Sequence, residues 1–155
     1  MGSTQNHVVV IGGGYSGVMA ANRIQGSGCA KVTLVNPRPK FVERIRLHQL
    51  AIDNDDAVED YAAILNSEVK LIIDSAEQIS AADRQVVLAS GATLNYDYLI
   101  YAVGSTGRVP KGVKGAVEHA YPLSELEQAE RLKSRLADVP LSAPIVVVGG
   151  GLTGI

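Results

Sequence analysis

Two glycine clusters in this chain have the spacing that lets bare backbone close around a diphosphate. The first is Gly12-Gly13-Gly14-Tyr15-Ser16-Gly17, entered from His7-Val8-Val9-Val10-Ile11. The second is Gly149-Gly150-Gly151-Leu152-Thr153-Gly154, entered from Pro144-Ile145-Val146-Val147-Val148. In each, an apolar run reads as a buried parallel strand that turns into G-x-G-x-x-G. The first glycine of such a turn permits a tight reversal off the strand, the second lets backbone approach a pyrophosphate, and the third lets a helix pack close to the strand. The phosphates then lie over N–H groups at a helix N-terminus, where the dipole favours negative charge. Gly12, Gly13, Gly14, Tyr15, Ser16 and Gly17 are therefore the candidate phosphate-binding residues of the first site, and Gly149, Gly151 and Gly154 those of the second. No helix can be read behind the second cluster, which Ile155 closes. It is expected to be a motif without a working phosphate site in this chain.

The elements that must hold the first cluster follow it. Ser16–Gln25 has Val18, Met19, Ala21 and Ile24 at helical spacing and is stopped by Gly26-Ser27-Gly28. Lys31–Val35 reads as a second strand closed by Asn36-Pro37, which completes a β-α-β unit of the size a dinucleotide fold requires. The end of that strand, about 20 residues past the fingerprint, normally carries a carboxylate that accepts hydrogen bonds from a ribose. Here it carries Asn36, with one carbonyl acceptor and no charge, so a weaker ribose contact is expected there.

Further along, an acidic stretch at Asp53–Asp60 leads into a predicted helix around Val58–Leu65, and Val69–Ile73 reads as a third parallel strand. Ala76–Ser80, Gln85–Leu88 and Thr93–Asn95 are short strand-like pieces, broken by Asp83-Arg84 and Ser90-Gly91, that predict a β-meander. Tyr98–Val103 is a strong apolar strand ended by Gly104-Ser105. Thr106–His119 reads as a linker. Ser124–Ala137 is amphipathic and helical, with Ser124 and Glu127 at capping-box spacing. The fold class is α/β: a Rossmann-like domain with a parallel sheet and a β-meander, plus the first strand (Ile145–Val148) of a second dinucleotide-binding domain. Gly149 lies 137 residues beyond Gly12, which marks an internal duplication.

Composition narrows the function classes. The chain has 155 residues, 46% hydrophobic and 19% charged, which suits a globular domain with a real core. A net charge of -2 gives no basic field for a nucleic-acid partner. A single cysteine, Cys29, excludes both an internal disulfide and a redox-active pair, and is read as a small buried thiol. No apolar run is long enough to span a bilayer and no secretory signal is legible, so a cytoplasmic protein is expected. No metal-ligand cluster or nucleophile–base pair stands out, and His7 and His119 read as ordinary strand-start or surface residues.

On residues 8–17, on Tyr96-Asp97-Tyr98-Leu99-Ile100-Tyr101-Ala102-Val103-Gly104-Ser105 and on Gly149–Gly154, the chain resembles the two-dinucleotide-domain flavoproteins of the pyridine nucleotide–disulfide oxidoreductase superfamily. The resemblance covers essentially the whole chain. It implies FAD at the first site, NAD(P)H at the second, and hydride transfer from the nicotinamide to the flavin, with electrons then passed to a small-molecule acceptor such as a quinone. Chemistry in such enzymes belongs to the cofactor, so no catalytic acid or base is named.

Ala102-Val103-Gly104 matches a motif of the Ala-Thr-Gly type that closes the first FAD-binding segment, with Val103 where Thr is usual. This adds Ala102 and Gly104 to the candidate cofactor-binding residues, with Asn36, Pro37 and Ala76. Lacking a Cys pair, the chain is similar to the non-disulfide branch of type II NADH dehydrogenases and apoptosis-inducing-factor-like oxidoreductases. In that branch the stretch 41–49 lies near the flavin, which makes Arg44 a candidate for cofactor phosphate or ring. A solvated helix or loop face is the competing reading for Arg44, Arg46 and His48.

The resemblance divides the chain into the N-terminal segment of an FAD-binding domain (1–105), a linker (106–120) and the truncated start of an NAD(P)-binding domain (121–155). Family members run to more than twice this length, so the chain is expected to be an N-terminal fragment that does not turn over alone. The alternatives are a non-catalytic dinucleotide-binding module, or one half of a split flavoprotein assembled with a complementing chain or with a second copy.

Overall fold

The computed structural model describes residues 5–107, 109 and 112–151. In chain order its elements are β1 (Asn6–Ile11), α1 (Tyr15–Gly26), β2 (Ala30–Asn36), β3 (Lys40–Val42), a 3-10 turn (Arg44–Arg46), α2 (Leu47–Ala51), β4 (Val58–Asp60), α3 (Tyr61–Ile64), β5 (Lys70–Ile73), β6 (Ala76–Ser80), β7 (Gln85–Leu88), β8 (Thr93–Asn95), β9 (Tyr98–Tyr101), α4 (Ala116–His119) and α5 (Leu126–Ala137). The chain divides into two compact units. One runs to Phe41 and resumes over Glu59–Gly104; the other comprises Val42–Val58 and the residues from Ser105 onward.

The first unit is built on a parallel sheet in the order β5-β2-β1-β9. β1 is apolar at every position from Val8 to Ile11 because both of its faces are covered. Val8 and Val10 join Val18 and Ala21 of α1, Val32, Leu34, Phe41 and Tyr61 in one buried cluster. Val9 and Ile11 point the other way, into a cluster with Val35, Val86 and Leu88. The second cluster is roofed by the antiparallel sheet β6-β7-β8, the expected meander, so this face is covered by strands in place of a crossover helix. Its turns use Arg84 at φ 52 and Gly91 at φ 84.

Where β1 begins, His7 ties three strands together. Its N–H donates to Asp97 Oδ2 at 2.7 Å, its Nδ1 meets the Asn95 carbonyl at 2.7 Å and its Nε2 meets Thr33 Oγ1 at 2.8 Å. The strand-start reading of His7 is thereby filled out as a structural one.

The second unit is smaller. Leu47, Leu50, Ala57 and Ala129 are buried together, with Val42, Leu123 and Leu126 packed against them, so α2 and α5 share one apolar seam. Ion pairs flank it: Arg46 to Asp55 at 2.8 Å and Lys133 to Asp53 at 2.5 Å. The Ala57 N–H, followed by Arg46, holds the Asp55 carboxyl below the usual carboxylate range, and Asp53 raises Lys133.

Four expectations are corrected here. The helix around Val58–Leu65 is divided into β4 and the single turn α3. The Ser124–Glu127 capping box does not form: α5 starts at Leu126 with Glu125 at its cap, and Ser124 Oγ is buried with no hydrogen-bond partner among the described residues. Cys29 is exposed, because it belongs to the turn after α1, where Ser27 Oγ donates to its Sγ at 2.9 Å. Residues 145–148 carry no strand, since no described neighbour offers them a ladder, and all four side chains are 65–95% exposed. No helix among the described residues is long and apolar enough to cross a membrane.

Candidate functional site

Parallel pairing brings the chemistry-bearing residues of the first unit to one edge. Ile11 is level with Val35 on one side and with Tyr101 on the other. The next residues of all three strands therefore emerge together: Gly12 from β1, Asn36 from β2 and Ala102 from β9. Successive strands run from β1 to one side of the sheet, while β9 lies on the other. The β1/β9 junction is thus a switch point, the place where open α/β sheets bind ligands.

Two backbone hydrogen bonds fasten the loop to this edge: Gly12 N–H to the Val35 carbonyl at 2.9 Å, and Ala102 N–H to the Ile11 carbonyl at 2.8 Å. The backbone then turns at Gly12 with φ +102, and a Cβ there would lie 2.4 Å from the Ala102 carbonyl oxygen and 2.9 Å from Val103 Cα. Gly12 and the 102–104 stretch are one piece of architecture, joined backbone to backbone. Gly104, also exposed, turns at φ 70.

The other two glycines of the fingerprint divide their tasks. A Cβ on Gly17 would fall 1.8 Å from the Gly12 carbonyl oxygen, so α1 sits as close to the loop as backbone allows. A Cβ on Gly14 would meet nothing within 4 Å. Gly14 is exposed and caps α1 without any side-chain hydrogen bond, as are Tyr15 and Ser16 beside it exposed in the first turn. The open space over Gly14, at a helix start with no acid in its first turn, suits a diphosphate.

Gly13 is gripped from both sides. Its N–H donates to Asn36 Oδ1 at 2.9 Å, and its carbonyl accepts from the Tyr61 hydroxyl at 2.8 Å. Asn36 uses its amide group as well, donating from Nδ2 to the Arg38 carbonyl at 2.8 Å. The residue expected to meet a ribose is thus engaged in holding the glycine loop. Pro37 beside it is exposed. Tyr61 is 4% exposed and packs edge-on against Phe41, whose ring also meets Tyr15 at 5.1 Å. Burial pushes its phenol up to about 12, against the opposing pull of the Arg38 charge. Sequence reasoning missed Tyr61, which lies 48 residues from Gly13 with no spacing signal to connect them.

The remaining candidates lie elsewhere. Ala76 opens β6 and packs with the second core cluster. Arg44, in the second unit, directs its guanidinium at the protein. Nε and Nη2 donate to the Ser124 carbonyl at 3.0 and 2.7 Å, Nη1 to the Ser105 carbonyl at 2.5 Å, and Nη2 also meets Glu125 Oε1 at 3.2 Å. It works there as a latch between the 3-10 turn and the residues leading into α5. Arg46 is paired with Glu43 and Asp55, and His48 Nδ1 is buried without a hydrogen-bond partner among the described residues. In the second cluster, Gly149 turns at φ 123 while a Cβ on Gly149, Gly150 or Gly151 would meet nothing within 4 Å among the described residues. Gly154 lies outside the described residues.

The family model described as pyridine nucleotide-disulphide oxidoreductase matches residues 6–155. Among curated relatives, the sulfide-quinone reductase of Aquifex aeolicus is 28% identical over 148 residues, covering 92% of this chain and 34% of that protein. The alternative NAD(P)H-ubiquinone oxidoreductase C1 of Arabidopsis thaliana is 26% identical over 177 residues, covering 96% of this chain and 34% of that protein. The solved sulfide:quinone oxidoreductase of Aquifex aeolicus superimposes with a TM-score of 0.74 at 29% identity, covering 86% of this chain and 32% of that one. The chain spans about a third of the length of these relatives.

Proposed function

The chain belongs to the pyridine nucleotide-disulphide oxidoreductase family, and on that premise we propose that its first glycine cluster holds the ADP half of FAD. The parent activity on this reading is an NAD(P)H oxidoreductase that passes a hydride to the flavin and electrons on to a quinone. The observation that carries it is the join at Gly12, where the fingerprint and Ala102-Val103-Gly104 close on each other with open space left above Gly14. Relatives named for quinone reduction support the acceptor.

On this reading Gly14, Tyr15, Ser16 and Gly17 present the first-turn N–H groups of α1 to the pyrophosphate, while Ala102 and Gly104 form the floor beneath it. Asn36 and Pro37 border the ribose. Bound there, FAD would supply two-electron chemistry between a hydride donor and an acceptor. The chain's own part is to bind and orient: the parallel strands fix the loop, and no side chain is asked to move a proton. Residues 1–105 are then the FAD segment, 106–120 the linker, and 121–155 the start of the nicotinamide nucleotide domain.

A second reading applies to the chain by itself. Residues 145–148 are exposed and have no strand partner among the described residues, which favours dinucleotide binding at the first cluster without turnover. Both are tested by titrating the purified chain with FAD and then assaying NADH oxidation with a soluble quinone. Stoichiometric flavin with quinone-dependent oxidation supports the full activity. Flavin without oxidation supports the binding module, and failure to bind FAD or ADP refutes the site.

A further inference from the structure

We infer that Tyr61 is a positioning residue that orients the peptide planes of the glycine loop so that Gly14 offers its N–H to a pyrophosphate. This rests on the reading of the first cluster as the nucleotide site. The argument concerns two consecutive peptides. No cis peptide occurs among the described residues, so in each unit the carbonyl and the following N–H point in opposite directions.

Across the 12–13 peptide, the Gly13 N–H is taken by Asn36 Oδ1 at 2.9 Å, and the Gly12 carbonyl faces Gly17, whose Cβ it would meet at 1.8 Å. Across the 13–14 peptide, the Gly13 carbonyl is drawn onto the Tyr61 hydroxyl at 2.8 Å. The Gly14 N–H must then project away from Tyr61, and a Cβ on Gly14 would meet nothing within 4 Å among the described residues. Without these two anchors the 13–14 peptide is free to rotate, since glycine accepts either orientation at little cost. A flipped peptide would aim a carbonyl, a negative dipole end, at a phosphate.

Tyr61 is suited to the task. Its ring is buried and wedged edge-on against Phe41, so the hydroxyl has little freedom. Its raised phenol keeps the donor proton in place throughout the neutral range. Position 13 is also closed to side chains by this clamp: a Cβ there would lie 2.1 Å from the Tyr61 hydroxyl and 2.9 Å from Asn36 Cγ and from Tyr61 Cζ.

The test is ADP and FAD titration of the whole chain, by calorimetry and flavin fluorescence, for wild type, Tyr61→Phe, Gly13→Ala and the double variant. Tyr61→Phe keeps the ring and removes one hydrogen bond, so both ligands should bind about five-fold more weakly with little change in melting temperature. Gly13→Ala should weaken binding in the wild-type background, and by clearly less once the Tyr61 hydroxyl is gone, because its nearest obstacle has been removed. Wild-type affinity in Tyr61→Phe overturns the inference and leaves the nucleotide site standing. Losses that track thermal destabilisation, with Gly13→Ala additive, also overturn it, since they mark only a packing role. A wild-type chain that binds neither ligand overturns the site and the inference together.

Discussion

The two glycine clusters have the same spacing and the same apolar lead-in, yet among the described residues only the first is built into its neighbours. Gly12 and Gly149 both turn at positive φ, +102 and +123. Around Gly12, β2 and β9 lock the loop with two hydrogen bonds and bring the Ala102 carbonyl to within 2.4 Å of a Cβ. Around Gly149 none of the described residues comes within 4 Å of a Cβ, and the four apolar residues before it are exposed. The turn is a local property of glycine. The site is a property of neighbouring strands that arrive from elsewhere in the chain.

The contrast is sharpest under substitution at the first glycine. Gly12→Ala forces a side chain into the Ala102 backbone at a φ that L residues avoid, so it should destabilise the first unit by about 3 kcal/mol or more. Gly149→Ala meets no neighbour among the described residues, so only the backbone strain of φ +123 remains and the loss in unfolding free energy should be about 1–2 kcal/mol. Equal losses would mean that the second cluster is packed as the first is.

Next in size is ligand loss without fold loss. Gly14→Val projects into open space, so melting should move little, while flavin content should fall at least about ten-fold by blocked backbone approach. Gly151→Val should leave flavin bound at the first site untouched. Retention of flavin in Gly14→Val would dissolve the functional distinction between the clusters.

Asn36→Ala tests the side-chain support of Gly13, which has no counterpart at the second cluster among the described residues. It leaves the Gly13 N–H without its acceptor and should cost about 1 kcal/mol in chemical denaturation. An unchanged midpoint would show that Asn36 does not hold the loop.

The smallest effect at neutral pH comes from Tyr61. Burial raises its folded phenol to about 12 from the ordinary value of 10.0. The native state holds that proton more tightly than the unfolded chain, so its contribution is full below pH 10 and is lost as pH rises towards 12. Tyr61→Phe should remove that component of the alkaline slope in urea midpoints measured from pH 9 to 12. A slope that survives the substitution would assign it to another group.

Much of this was legible in the sequence. The strand around Val8–Ile11, the meander over residues 76–95 and the glycine loop each follow from short-range pattern, because β-branched runs, turn residues and G-x-G-x-x-G act over a few positions. What escaped depends on distant partners. Asn36 was expected to face a ribose, and it bonds Gly13 because the register that levels Ile11 with Val35 leaves its side chain beside the loop. Tyr61 sits in a single helical turn whose residues carry no motif. Arg44 is turned onto the Ser124 and Ser105 carbonyls, some 60 to 80 residues away. The run at 145–148 has strand composition, but a strand needs a partner, and none of the described residues supplies one.

The pairing of β1 with β9 also dictates the order in which the first unit is assembled. β1, α1 and β2 are contiguous and can dock early, since only α1 and its flanking turns separate the paired strands. β9 is level with β1 only after about ninety residues of intervening chain have been brought round, Val8 opposite Tyr98, and closing so long a loop has a larger entropic cost. During synthesis the fingerprint therefore leaves the ribosome long before its floor exists. On the proposed reading of the site, nucleotide capture would be a late event, and flavin uptake by ribosome-stalled chains of increasing length would mark the moment at which β9 closes the sheet.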